Sequence, residues 1–197
     1  MAEAGPEVGA EAALRATQAW VEHAVIGLNL CPFAKAVQVK GLIRYVCSAA
    51  RDTAALRDAL RSELQRLADT PIEQLETTLL VHPGVLHDFL DYNDFLAEAD
   101  ALLADMGLEG LLQIASFHPR YQFAGTRAED IDNATNRSPH PTLHLLREVS
   151  IERAVAAFPE AESIYEANMV TMRALGARGW AELQARCLRE AQLGGAA

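Results

Sequence analysis

The chain has 197 residues, half of them apolar, and a formal net charge of −10 at pH 7. That size and composition allow one sizeable core and a single domain, expected over residues 11–192 between a disordered tail at 1–10 and a flexible one at 193–197. The charge excludes nucleic acid and an anionic membrane as main partners, because either needs clustered Lys and Arg, and the only lysines are Lys35 and Lys40 among dispersed arginines.

The acidic, Ala/Gly-rich start lacks the basic flank and apolar stretch of a signal peptide, and no run approaches the roughly 20 apolar residues of a membrane span. A cytoplasmic protein is therefore expected. Cys31, Cys47 and Cys187 show neither paired spacing nor an even number, which argues against a disulfide framework or a thiolate metal site. A small-molecule ligand and a homo-oligomer are the partners the sequence allows, and it names no cofactor.

In chain order, Leu14, Thr17, Val21, Val25 and Leu28 predict a first helix ending near Gly27 to Asn29. Pro32 breaks the chain. Residues 41–48 have strand composition, Leu56, Leu60, Leu64 and Leu67 mark a second helix, and residues 77–84 form a strand ending in His82-Pro83-Gly84. A helix with Leu86, Leu96, Ala99 and Leu103 inward stops at Gly107, and residues 110–117 are a third strand. From His118 to Pro139 lies an irregular segment of 22 residues, long enough to point to function. Helices then resume at 138–149, with Ser138 as cap and Pro139 in the first turn, and continue over 151–157, 160–175 and 179–192.

This order fits an α/β or α+β fold: a small three-stranded sheet with crossover helices, a long polar loop and a helical C-terminal layer, with a ferredoxin-like sheet as the alternative. Parallel strands would bring Cys47, His82 and His118 to one edge, where open α/β sheets bind ligands. A histidine beside a strand-ending proline can equally be an ordinary solvated residue. His140 and His144, four apart on the expected helix with Glu148, could face a metal, but Pro141 stands where a catalytic zinc motif has Glu. No metal set is therefore assigned, and His118 and His144 are the weak candidates. Arg137 and Ser138 at a helix start suggest an anion site, for which Pro139 and Pro141 leave fewer amides, so that Arg120, Arg127 or Arg137 would carry it. Cys31, just past a helix end and near Lys35, reads either as an accessible thiol or as a buried small apolar residue; Cys187 reads as core.

The phrases VIGLNLCPFAKAV (25–37), SFHPRYQFAGT (116–126) and NRSPHPTLHLLRE (136–148) together resemble the DUF1415 family, a family of unknown function, over residues 15–190. The resemblance implies no activity. It directs attention to Asn29, Cys31, Pro32, His118, Pro119, Tyr121, Gln122, Asn136, Arg137, Ser138, Pro139, His144 and Arg147. It also implies an aromatic at the position of His140, which weakens a His140/His144 metal pair, and it does not include His82.

The expected site thus gathers His118, Cys31 and His144 as catalytic residues, with Arg137, Asn136, Tyr121, Ser138 and Arg120 binding an anionic metabolite for hydrolysis or group transfer. The alternatives are a non-catalytic ligand-binding or assembly module and, third, a metal-binding protein.

Overall fold

The computed structural model describes residues 9–157 and 163–193. Both expected tails fall largely outside this range, as do residues 160–162 of the expected C-terminal helix. Helix α1 (Ala10–Trp20) runs on through a π-helical turn, Val21–Ile26, and the chain reverses at Asn29, which holds a left-handed φ of 55°. A short helix, α2 (Ala34–Val39), follows the Pro32 break.

Then come β1 (Ile43–Cys47), α3 (Thr53–Asp69), β2 (Thr77–Val81), α4 (Phe89–Asp105) and β3 (Leu112–Phe117). Asp52 and Asp88 cap α3 and α4, their carboxylates accepting from the amides of Ala55 and Leu90. A 3-10 turn, Ile131–Asn136, interrupts the long loop before β4 (Thr142–Arg147), α5 (Glu148–Ala157) and α6 (Ser163–Leu193). Gly176, at φ 67°, bends α6 at the junction where two separate helices are expected.

The sheet has four strands in the order β1-β2-β4-β3. β1 and β2 are parallel, and β4 runs antiparallel to both its neighbours, so β1, β2 and β3 share one direction. A helix separates β2 from β3, which departs from the ferredoxin-like order of elements.

The fourth strand is the segment whose histidines suggested a helix. Pro139 and Pro141 withhold amide donors, and from Thr142 the side chains follow a period of two: Leu143 and Leu145 are fully buried against α3 and α4, while Thr142, His144 and Leu146 alternate with them. The expected helical face of His140, His144 and Glu148 therefore does not exist. Ser138 does not cap a helix either; its hydroxyl donates to the carbonyl of His140 at 2.6 Å.

Each face of the sheet carries its own core. Leu80, Leu112, Leu143 and Leu145 pack under Leu56, Leu60, Leu64, Tyr92, Phe95 and Leu102 of α3 and α4. On the other face Leu79 meets Trp20, Val21 and Ala24 of the first helix and its π turn and Met172, Trp180 and Cys187 of α6. Cys187 is 1 % exposed, as its helical spacing suggests. Burying one such leucine or methionine stabilises the fold by roughly 1.5–3 kcal/mol, so both layers hold the sheet in place.

Candidate functional site

The second face is not filled along its whole length. In register across the sheet stand Tyr45, Leu79, His144 and Ala115, and the small Ala115 beside His144 leaves space above β3 and β4. The result is a cavity of about 320 Å³, at the small end of the roughly 300–1,000 Å³ typical of ligand pockets. Its floor is Ile43, Thr77, Leu79, Ala115, Phe117, His144 and Leu146. Trp20, Val21 and Val25 wall one side, Cys31, Phe33, Ala34 and Val37 the next, and Ser150, Ile151, Ala154 and Val155 of α5 the third. Glu76 is the only charged side chain among the described lining residues.

Polar groups in this apolar setting are few. His144 Nε2 lies 2.7 Å from Thr77 Oγ1, and the Thr77 hydroxyl donates to the Leu145 carbonyl at 2.6 Å. Burial pushes the His144 pKa down to about 4, so the ring is neutral at pH 7. The Ser150 hydroxyl is buried without a partner. Cys31 is half-buried, and its loop is held from α6 by the Asn168 side chain, which donates to the Leu30 carbonyl at 2.9 Å.

His118 is elsewhere. It follows the last residue of β3, on the α4 side, 1 % exposed and with its ring 5.1 Å from Tyr92 and 5.4 Å from Phe89. Nε2–H donates to the Leu86 carbonyl at 3.2 Å, and Nδ1 accepts from the Arg120 amide at 3.0 Å. Burial, ahead of a weaker repulsion from Arg120, holds its pKa below the usual histidine range. The other His-Pro phrase is similar: His82 donates from Nδ1 to the Val85 carbonyl at 3.2 Å, and its Nε2 is buried without a partner. Tyr92, which no sequence pattern singles out, ties the two strand ends by donating to the Thr142 carbonyl and accepting from the Phe117 amide.

The polar residues of the long loop are engaged within it and with the elements beside it. Arg137 donates to the carbonyls of Tyr121 and Ala128, Asn136 to that of Ser116, and Arg120 to the His87 carbonyl and the Asp88 carboxylate. Tyr121 packs edge-on against Phe123 and beside Phe89. Arg147 donates to the carbonyls of Leu67, Thr70 and Leu75, closing the C-terminal end of α3. Of the residues expected to converge, Cys31 and His144 line the cavity, whereas His118, Arg120, Tyr121, Asn136, Arg137 and Ser138 are absent from its described lining. Among the described residues no group of three or more His, Cys, Asp or Glu side chains is arranged to hold a metal ion.

A family model described as a protein of unknown function, DUF1415, matches residues 12–182. The chain belongs to the DUF1415 family. No curated protein and no solved structure matches it. Within this DUF1415 chain the residues of the three phrases divide into two groups, cavity wall (Cys31, His144) and braces of the loop and helix ends (His118, Asn136, Arg137, Arg147). Thr77, Ser150, Glu76 and the Trp20 indole, whose N–H is buried without a partner, add to the polar groups of the described lining and were not among the expected site residues. Thr77 opens a strand and carries the signal of a hydroxyl on the same alternating face as Leu79; Ser150 carries none, since its role depends on where α5 lies. No helix among the described residues is long and apolar enough to cross a membrane.

Proposed function

We propose that this protein binds a small, largely apolar molecule in the cavity between the sheet and α5, with His144 at its floor. One observation carries the reading: a space of about 320 Å³ walled almost wholly by apolar side chains and containing a neutral imidazole held by Thr77. The anionic metabolite suggested by the arginines has no support in this wall, where the charged side chain is Glu76 and Arg120 and Arg137 are engaged elsewhere. The three unpaired cysteines support a reducing, cytoplasmic setting.

Toluene is a suitable first probe, followed by heat of binding. The wild-type chain binds it, and Ala115→Leu, which fills the space beside His144, weakens binding by about tenfold or more while the protein stays folded. Equal binding by the two proteins would contradict the assignment.

Hydrolysis or group transfer is a second reading, favoured by the presence of Cys31 and His144 in the same cavity. In it the Cys31 thiolate attacks a neutral ester, the acyl group passes to Sγ as the alcohol or phenol leaves, and water then releases the acid. With 4-nitrophenyl acetate, nitrophenolate release that Cys31→Ser abolishes supports it. Release unaffected by Cys31→Ser contradicts it and leaves binding alone.

A further inference from the structure

We propose that the cavity selects neutral molecules bearing a hydrogen-bond donor, a hydroxyl above all, and that Nδ1 of His144 reads that donor. The inference rests on the cavity being a ligand site and adds the chemistry of the ligand's polar group. It follows from counting protons. Thr77 has one hydroxyl proton and two close neighbours, the Leu145 carbonyl at 2.6 Å and His144 Nε2 at 2.7 Å. A carbonyl can only accept, so the proton goes to Leu145, and the Thr77 oxygen must take its second bond from Nε2–H. A neutral imidazole carries one such proton. Nδ1 is then a bare lone pair, and no donor among the described residues reaches it.

An unpaired acceptor on the floor of an apolar cavity gains most from a ligand that supplies the missing proton. Ser150, whose hydroxyl is buried without a partner, stands in the α5 wall of the same cavity. Charged ligands fare worse. The described lining has no Lys or Arg to pair with an anion, Glu76 repels one, and an ammonium loses its hydration to walls of Val, Ile, Leu and Phe. Thr77 acts as a positioning residue: it fixes the tautomer and touches the ligand's polar group only through His144.

Benzyl alcohol and anisole are isomers of nearly equal volume, of which only the alcohol has a donor. The ratio of their affinities therefore reads the proposed bond with size held constant. His144→Phe is expected to shift that ratio toward anisole by about tenfold. Thr77→Val, which frees the tautomer without removing the ring, shifts it the same way, and carries the test if His144→Phe does not fold. The 15N resonances of His144 in the wild type are expected to show Nε2 protonated and Nδ1 bare, with Thr77→Val giving a mixture. Both isomers binding with a ratio unchanged by the variants, or a protonated Nδ1 in the wild type, overturns the donor selection and leaves the cavity as a ligand site. Neither isomer binding to the wild type overturns both.

Discussion

With Nε2 given to the Leu86 carbonyl and Nδ1 to the Arg120 amide, His118 has both ring nitrogens engaged, in a setting that keeps it neutral. It holds together the turn at Leu86, whose φ of 58° is uncommon for a non-glycine residue, and the entry to the long loop. His118→Ala should cost about 2–4 kcal/mol by urea unfolding, through lost packing and two bonds, while toluene affinity changes little. A large loss of affinity in a folded His118→Ala protein would place the site elsewhere. Cys31 should react with a small thiol reagent under native conditions and be protected by bound benzyl alcohol, whereas Cys187, buried and with its pKa pushed up to about 11, should stay unmodified. Reaction of Cys31 that is indifferent to benzyl alcohol would separate the thiol from the site. His118 and Cys31 stood out in the sequence through their local setting, a strand end and a helix end. The groups that hold them did not, because the Leu86 carbonyl at His118 and the Asn168 side chain at the Leu30 carbonyl beside Cys31 come from distant parts of the chain.

At the level of elements, three strands and most helices could be read from periodicity, since Leu56, Leu60, Leu64 and Leu67 face one core and the strands are short apolar runs. β4 could not. The histidines four apart in HPTLH imitate a helical face, and the competing signal, Leu143 and Leu145 two apart, gains weight only when the segment pairs with both β2 and β3. Placing β4 between them is what carries His144 beneath α1 and α5. Arg147, at its end, binds three carbonyls at the close of α3. Arg147→Met should therefore lower stability by about 1–3 kcal/mol, because it leaves those carbonyls without the donor that Nη2 supplies to all three. An unfolding midpoint equal to the wild type would show those bonds to be dispensable.

For the molecule as a whole, buried neutral histidines set a pH dependence. His82 and His144 titrate near 4 in the fold, both chiefly through burial, with His118 and His87 adding to the effect at His82, against roughly 6.5 in an unfolded chain. Between those values the unfolded chain binds protons that the folded one refuses. Stability is then fully present above about pH 6.5, falls as the pH drops through the window, and levels off below about 4. Urea midpoints measured from pH 7.5 to 4.5 should decline over that range, and a flat profile would mean these rings are charged or solvated in the fold. The larger claim is that the two-layered sheet leaves one apolar chamber on its α1 and α5 face, and that a ligand occupies it. Its most direct test is to saturate the protein with benzyl alcohol and record nuclear Overhauser contacts from the ligand's ring protons. Contacts to the methyls of Ala115, Ile151 and Ala154, lost in Ala115→Leu, are expected; contacts only to other parts of the protein, or none, would contradict the account.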